Sequence, residues 1–337
     1  LILIATYYLL AQYRFNGAQA WWPLIVPLGL QAPLALFGAL YLHSRRERKL
    51  QEAMSRGATF YLPQELVERL HDESEHGARA SELVTGTCMV TDIEKFTAFA
   101  ERMPPRDLER NLNVYYQRLF DIVSAHRGRV TDIVGDSMVA VWPSGAGPDP
   151  DAIDAAVEVG IALGQSDPAF PRTRVGLHAG SFVLGAVGAT HHLEYRAVGD
   201  VINSASRVQA LNKHLDTTIL TTTAALPEPQ QTTESEDYSR RRLGRFLLPG
   251  KEEPLEIVEL IPTTTVGGKA VADLAVRFEQ ALDAFVAGRW DRAHQLFCRI
   301  DDEFGGDGPS RYFANWIELT NSGEAASNWD GTVRIAP

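Results

Sequence analysis

The sequence has few cysteines and a shortage of positive charge. Cys88 and Cys298 are its two cysteines, and their spacing fits no metal-binding or redox motif. We therefore expect reduced packing residues in a cytosolic domain, and not a cysteine-based metal or redox centre. The 43 acidic residues outnumber the 32 Lys and Arg residues, which gives a net charge of −11. This balance argues against nucleic acid as the main partner, because a phosphate backbone selects basic surfaces.

The composition is otherwise that of a folding chain. Of the 337 residues, 45% are apolar and 22% are charged, which excludes a disordered protein. The length allows one large domain with extensions, or two domains. Residue 1 is Leu and not Met, which predicts that the native start lies upstream.

One segment near the start lacks charge altogether. There is no Asp, Glu, Lys or Arg from Phe15 to Ser44, and Pro23 to Leu42 is almost wholly apolar. About 20 apolar residues are enough to cross a bilayer, and Trp21 and Trp22 suit a membrane interface. A basic cluster follows at Arg45, Arg46, Arg48 and Lys49. Residues 1–44 are thus predicted to be transmembrane helices, the first one truncated, with everything after residue 45 in the cytoplasm. The alternative is a buried hairpin of a soluble domain.

From Glu82 onward, strand-like and helix-like segments alternate. The predicted strands are 83–91, 129–134, 138–142, 173–187 (two strands broken at Gly180) and 255–261, and the predicted helices are 106–126, 152–164 and 201–213. The β-α-β-β-α-β order predicts an α+β domain over 82–262, with the ferredoxin-like arrangement of an antiparallel sheet and helices on one face. Residues 45–81 would link it to the membrane, either passing a signal or serving as a passive tether.

A C-terminal extension is predicted over 270–337. Two amphipathic segments, 275–287 and 290–304, flank Gly288-Arg289 and resemble one tetratricopeptide-like helical hairpin. A single such unit cannot build a solenoid, so we expect it to pack onto the preceding domain.

Three short motifs carry the candidate chemistry. Asp92 lies in Val-Thr-Asp-Ile-Glu-Lys-Phe-Thr, and Asp136 lies in Ile-Val-Gly-Asp-Ser-Met at a predicted hairpin. Asn203 and Arg207 lie in Gly-Asp-Val-Ile-Asn-Ser-Ala-Ser-Arg, where their i, i+4 spacing puts them on one helix face. Mg²⁺ prefers oxygen ligands, usually one or two carboxylates with waters and substrate phosphates. Two carboxylates for metal ions, with an amide and a guanidinium for a phosphate, suit phosphoryl transfer on a nucleotide.

These motifs resemble the class III adenylate and guanylate cyclases, strongly over residues 83–261 and more loosely elsewhere. The Tyr-Arg-Ala-Val-Gly-Asp segment is similar to that of bacterial cyclases with an extracellular CHASE2 sensor and a membrane anchor, and that sensor would be missing here. The resemblance implies ATP conversion to 3′,5′-cyclic AMP and pyrophosphate in signal transduction. It also implies two Mg²⁺ ions per site (or Mn²⁺) and a homodimer in which one protomer gives the carboxylates and its neighbour the Asn/Arg pair.

The resemblance also assigns roles to individual residues. Asp92, Asp136 and the Ile93 carbonyl would hold the metal ions, Asn203 would orient the ribose, and Arg207 would hold the α-phosphate. Phe96 and Thr97 would line the triphosphate pocket. Lys95 stands where the family usually has glycine, and Pro249 stands at an expected lysine, which leaves Lys251 as the candidate for the terminal phosphates.

The base-reading positions depart furthest from the family. Asp132 and Arg196 occupy sites where adenylate cyclases place Lys and then Asp or Thr, so the charges are reversed. Asp132 accepting from N1–H and Arg196 donating to O6 would suit guanine, or uracil, better than adenine. The alternatives are a pair that bonds only to itself, and a degenerate domain that binds nucleotide without turnover. A further alternative is a scaffold acting through residues 270–337. ATP is the favoured substrate because the family resemblance favours it.

Overall fold

The computed structural model describes residues 2–18, 81–145, 147–164, 171–189, 192–227, 237–266, 268–320 and 329–335, together with positions 33, 37, 38, 41 and 45. The chain divides into two compact units, Leu1–Ala78 and Arg79–Pro337. Most of the predicted span at 15–44 and of the predicted linker at 45–81 lies outside the described residues. In the first unit, helix α1 covers Ile2–Ala18. Among the described residues, no helix has both the length and the apolar character that a membrane crossing needs.

The second unit is a mixed α+β domain, which confirms the predicted fold class. Its strands are β1 Glu82–Ile93, β2 Arg129–Val134, β3 Ser137–Pro143, β4 Thr173–Ala189, β5 His192–Val198, β6 Ile219–Thr222, β7 Tyr238–Leu247, β8 Leu255–Pro262 and β9 Thr332–Arg334. Its helices are α2 Phe96–Arg102, α3 Pro105–Ala125, α4 Pro150–Leu163, α5 Asp200–Leu215, α6 Thr263–Val266, α7 Gly268–Val286, α8 Trp290–Glu303 and α9 Gly308–Thr320.

The described strands form one sheet in the order β2-β3-β1-β4-β6-β8-β7-β9, with β5 paired to β4. The first four strands are antiparallel neighbours, and β4 and β6 are parallel. Strands β1 to β4 with helices α3 and α4 therefore have the β-α-β-β-α-β order and the sheet order of a ferredoxin-like unit.

Helices cover both faces of the sheet, so the prediction of helices on one face is wrong. Met89 of β1 packs with α3 and α4, whereas its neighbours Cys88 and Val90 belong to the opposite core together with Val201 and Ala205 of α5. The cause is visible in β1, which is buried at every position from Thr87 to Thr91. A strand that is apolar on both faces needs a cover on both.

The predicted break at Gly180 is also wrong, because β4 runs through it without interruption. Gly180 lies opposite Gly86 in the β1–β4 register. A Cβ at Gly180 would lie 2.7 Å from Val201 Cγ2, so the absent side chain lets α5 approach the strand closely. This glycine serves helix–sheet packing and not a turn.

The C-terminal extension is larger than the predicted hairpin. Helices α7 and α8 correspond to it, and α9 and the short strand β9 are additional. Phe278, Phe285, Phe297 and Phe313 form its buried aromatic centre, in one core with Phe246 of β7. The extension thus packs on the sheet as expected, and β9 lengthens that sheet by pairing with β7 in parallel.

Candidate active site

The two candidate metal carboxylates meet at the end of β1. Asp92 is the last residue but one of β1, and Asp136 follows Gly135 in the turn between β2 and β3. Gly135 adopts a positive φ of 65°, which the tight turn requires. The Ile93 N–H donates to Asp136 Oδ2 at 3.3 Å, so the Asp136 carboxyl group lies beside the end of β1 and close to that of Asp92.

Two carboxyl groups in contact change their own chemistry. Burial, together with the neighbouring Asp136 charge, raises the pKa of Asp92 to about 6. Arg174 and a hydrogen bond from Gln209 act in the opposite direction and do not offset that rise. Tyr116 donates its hydroxyl to the Gly135 carbonyl, and burial and the Asp136 charge raise its pKa to about 12. The pair therefore favours either a shared proton or a bound cation.

The donor set at this pair fits a divalent cation such as Mg²⁺. Among the described residues, no group of three or more His, Cys, Asp or Glu side chains could hold a metal ion. Two carboxylates and a backbone carbonyl are nevertheless the hard oxygen ligands that Mg²⁺ takes, with its remaining positions filled by waters and substrate phosphates. The raised pKa of Asp92 supports this fit, because a bound cation would offset both causes of the shift, the burial of the carboxyl group and then the neighbouring Asp136 charge.

Arg174 and Glu94 belong to the same neighbourhood, and sequence reasoning missed both. Arg174 lies directly opposite Asp92 in the β1–β4 register and is 7% exposed. Its Nη2 donates to Glu94 Oε1 at 2.9 Å, while its buried Nε has no hydrogen-bond partner. The available signal was an arginine inside the apolar run of β4, since a charge in a buried strand requires a partner.

The residues after Asp92 form a turn into helix α2. Phe96 and Thr97 begin α2, where the Phe96 ring packs against the core and Thr97 is exposed. Lys95, at the position where glycine was expected, has a left-handed conformation with φ 54° and ψ 32°. Its side chain is exposed, with Nζ 3.7 Å from Glu94 Oε1. The backbone thus keeps a glycine-like conformation although the residue is lysine.

The Asn203–Arg207 pair lies on α5 beside the β7–β8 turn. Asn203 is exposed, and the Arg207 guanidinium lies so close to Gly250 that a Cβ there would be 2.9 Å from Nη2. Lys251, the next residue, forms an ion pair with Asp200 at the start of α5, and this contact lowers the pKa of Asp200. Arg207 of α5 thus contacts the β7–β8 turn at Gly250, and Lys251 of that turn contacts the start of α5.

The two base-reading candidates bond to each other. Arg196 Nη2 donates to Asp132 Oδ1 at 3.1 Å, and Arg196 Nε lies 2.9 Å from Glu194 Oε2. The arginine is therefore held between two carboxylates on β2 and β5. This is the arrangement expected from the alternative in which Asp132 and Arg196 pair with each other.

One chain brings the predicted residues together in three groups and not in one. Asp92, Ile93 and Asp136 form the first, Asp132 and Arg196 the second, and Arg207 and Lys251 the third, with Asn203 on the same helix face as Arg207. The Asp92 carboxylate is bonded by Gln209 of α5. Gln209 points roughly 120° away from Asn203 and 160° from Arg207 around the helix, given about 100° per residue. The carboxylates and the Asn/Arg pair thus use different faces of α5.

Comparison with known proteins gives one family. Residues 80–258 match the sequence model of the family described as Adenylate and Guanylate cyclase catalytic domain. Adenylate cyclase 1 of Rhizobium meliloti (strain 1021) is 31% identical over 212 residues, which are 60% of this chain and 31% of that protein. The chain therefore spans about a third of the length of this curated relative. A solved bacterial light-regulated adenylyl cyclase has a TM-score of 0.49 and 18% identity, covering 72% of this chain and 66% of that one. The solved guanylyl cyclase Cya2 has a TM-score of 0.44 and 19% identity, covering 56% of this chain and 93% of that one.

Proposed function

The chain belongs to the adenylate and guanylate cyclase catalytic-domain family, and from that premise we propose that it is a membrane-anchored, homodimeric class III cyclase acting in signal transduction. Its reaction converts ATP to 3′,5′-cyclic AMP and pyrophosphate. The observation that carries this proposal is the contact between the Asp92 and Asp136 carboxyl groups at the end of β1, with the raised pKa of Asp92.

In this reaction the ribose 3′-hydroxyl loses its proton to solvent, its oxygen bonds to the α-phosphorus, and the bond from that phosphorus to the departing pyrophosphate breaks. Two Mg²⁺ ions (or Mn²⁺), held by Asp92, Asp136 and the Ile93 carbonyl, would make the 3′-hydroxyl more acidic and neutralise the leaving group. Asn203 orients the ribose, and Arg207 donates to the α-phosphate, where negative charge builds in the transition state. Phe96 and Thr97 line the triphosphate pocket, and Lys251 leaves Asp200 to meet the terminal phosphates.

ATP is the proposed substrate, and the name of the Rhizobium meliloti relative, an adenylate cyclase, supports that choice. A second candidate is GTP or UTP, which the reversed Asp132–Arg196 pair favours, because Asp132 can accept from guanine N1–H or uracil N3–H, and Arg196 can donate to guanine O6 or uracil O4. The bond between these two residues at 3.1 Å supports a structural role for them when no base is bound. An inactive nucleotide-binding domain is the third candidate, motivated by Lys95, Asp132, Arg196 and Pro249.

The separation of the two half-sites supports the proposed homodimer. Each chain has the carboxylates and the Asn/Arg pair, but on different faces of α5, so a second copy would complete each site. The cell membrane is the proposed location, with the catalytic domain in the cytoplasm, and the uncharged segment 15–44 before a basic cluster supports this. Extraction of the expressed chain from membranes by alkaline carbonate would contradict the anchor.

The test of the activity is an incubation of the purified chain with Mg²⁺ or Mn²⁺ and each of ATP, GTP, UTP and CTP, with products identified by mass. Cyclic AMP is the expected product. Cyclic GMP or cyclic UMP would show that Asp132 and Arg196 read the base. No product with any nucleotide, from a verified dimer, would favour the inactive regulatory domain.

A further inference from the structure

The start of helix α9 is fixed at two places on the cyclase domain. Asp307 Oδ1 accepts from Arg241 Nη1 at 2.7 Å, and Asp307 Oδ2 accepts from the Ser310 N–H at 3.0 Å. Arg241 is 3% exposed and also bonds to Glu259, so the anchor is buried in the sheet. At Gly308, a Cβ would lie 2.3 Å from the Leu215 carbonyl oxygen, so α9 begins directly against the end of α5.

From this junction a chain of ion pairs leads to the candidate metal site. Arg311 Nη2 of α9 lies 3.5 Å from Asp216 Oδ2, and Asp216 also bonds to Arg172. Arg172 Nε donates to Glu94 Oε2 at 2.5 Å, and Arg174 Nη2 donates to the other oxygen of Glu94 at 2.9 Å. The carboxylate of Glu94 is thus held by two arginines at once, and one of them is connected to the helical extension.

Glu94 lies two residues after Asp92, and its own N–H donates to the Arg172 carbonyl at 2.9 Å. Arg174 is the strand partner of Asp92. Side chain and backbone of Glu94 together therefore fix the end of β1 relative to the start of β4. We propose that Glu94 is a positioning residue for Asp92, and that the helical extension, through Arg311 and Asp216, sets the position of this strand end. The proposal rests on the proposed cyclase function, because it assigns a role in that same site.

The first test is a double-mutant cycle of Glu94→Gln and Arg311→Gln, with kcat/KM and the Mg²⁺ concentration for half-maximal rate as readouts. A small displacement of a catalytic group has a large effect on rate, so Glu94→Gln is expected to lower kcat/KM on the order of tenfold. Arg311→Gln should lower it less, and the double variant should be no worse than Glu94→Gln alone. Substitutions at residues that do not touch usually have independent effects. If the loss of kcat/KM in the double variant equals the product of the two single losses to within about twofold, the proposal is overturned.

The matched control is Arg277→Gln. Arg277 also belongs to the extension, is about as exposed as Arg311, and likewise has two acidic partners, Asp273 and Glu303. Neither partner contacts the chain of ion pairs. Its substitution should leave kcat/KM within about twofold of the unaltered protein, as expected for an exposed ion pair outside a network. A loss equal to that of Arg311→Gln would mean that the extension acts by stability alone.

The second test does not depend on turnover. Hydrogen exchange at the amides of Glu94 and Phe99 reports the opening of the segment after Asp92, since both amides are hydrogen-bonded, to Arg172 and Lys95. Arg311→Gln and Asp216→Asn should speed this exchange severalfold, and Arg277→Gln should not. Unchanged exchange in both variants would overturn the proposal. If the unaltered chain formed no cyclic nucleotide, the proposed function would fail, and the exchange result would still decide the positioning role.

Discussion

At the scale of single residues, the ionised Asp92 carboxylate lowers the folding stability of the metal-free protein. The pKa of its carboxyl group is raised from 3.8 to about 6, chiefly by burial and then by Asp136. A group whose pKa is raised on folding stabilises the fold below its unfolded pKa, and that contribution is lost as pH rises through the folded pKa. For Asp92 the loss falls between about pH 4 and pH 6 in the metal-free protein.

We expect Asp92→Asn to abolish turnover and, without metal, to stabilise the fold at pH 8. The gain should be about 1 kcal/mol or less, because the half-exposed carboxyl is partly screened by solvent. Thermal unfolding with EDTA at pH 8 and pH 4 checks this, and the gain should shrink at pH 4. Added Mg²⁺ should raise the Tm of the unaltered protein but not that of the variant. Asp302→Asn, an exposed aspartate on α8, serves as the control, and full activity in Asp92→Asn would refute the two-metal interpretation.

Arg207 tests the transition-state role. Its guanidinium lies against Gly250, and Lys251 is the next residue along the chain. If Arg207 meets the α-phosphate as charge develops, Arg207→Ala should lower kcat by about 10² to 10³ and change KM only a fewfold. Steady-state kinetics on the variant and on Arg118→Ala, an exposed arginine of α3, give the comparison. A raised KM with unchanged kcat would mean that Arg207 binds ground state and transition state equally.

Lys95 tests backbone strain beside the site. A left-handed conformation costs an L-residue other than glycine roughly 1–2 kcal/mol. Replacement by glycine removes this cost, but glycine loses more backbone entropy on folding, which cancels part of the gain. Since Lys95 has φ 54°, Lys95→Gly should stabilise the protein by roughly 0.5–1 kcal/mol. Lys213→Gly, in helix α5, should destabilise it by a similar amount. Urea unfolding of both variants measures these free energies. A loss of stability in Lys95→Gly would show that the lysine side chain stabilises the fold by more than the backbone strain costs.

At the scale of secondary-structure elements, two adjacent arginines of β7 differ in burial and in the ion pairs that they form. Arg241 is 3% exposed and bonded to Glu259 and Asp307, whereas the side chain of Arg242 is 39% exposed and pairs with Glu256, Glu279 and Asp283. Removing Arg241 leaves two buried carboxylates without a counter-charge, so Arg241→Met should cost about 3–5 kcal/mol of unfolding free energy. Arg242→Met should cost less than about 1 kcal/mol. Equal losses in urea unfolding would contradict a buried anchor for the extension.

The elements show which parts of the fold the sequence could predict. The hairpin at Gly135-Asp136 and the strands beside it follow from local signals, namely β-like runs and a turn glycine. The face covered by each helix was not predictable, because Cys88, Met89 and Val90 are all apolar and hide the alternation of β1. Helix α9 was not predicted, because the glycines at 305, 306 and 308 indicate a loop. Pro309, at the start of the helix, is nevertheless a typical first-turn residue.

The same limit applies to the site. Asp92, Asp136, Asn203 and Arg207 could be chosen from motifs, because each lies in a short stretch with its own pattern. Arg174 could not be chosen in this way. It is the partner of Asp92 only through the β1–β4 strand register, which joins two positions 174 − 92 = 82 residues apart. The mutual pairing of Asp132 and Arg196 likewise depends on the approach of β2 and β5, which no local pattern specifies.

At the scale of the whole molecule, the faces of α5 and the exposed valines support the proposed second copy. The Asp92 side of α5 differs from the Asn203–Arg207 side, so the two groups of candidate residues lie apart within one chain. The β4–β5 hairpin leaves Val183, Val187 and Val198 between 37% and 48% exposed. Val183 and Val198 are partners in the β4–β5 register, and exposed apolar side chains of this kind suit a protein interface, which a symmetric dimer would use on both copies.

A dimer with shared sites makes a quantitative prediction. Asp92→Asn and Arg207→Ala should each be nearly inactive alone, yet a mixture should recover activity, because a mixed dimer has one site with neither defect. With equal amounts and free exchange, about half of the dimers are mixed and each has one working site of two, so about a quarter of the unaltered activity should return. Mixing Asp92→Asn with Asp136→Asn is the matched control, since both defects then lie in the same half-site and every site of a mixed dimer carries one. No recovery in the first mixture despite demonstrated exchange would mean that each chain completes its site alone. A conformational change within one chain would then have to bring Arg207 and the two carboxylates together. Recovery in the control would instead mean that Asp92 and Asp136 act in different sites, which would contradict the shared carboxylate half-site.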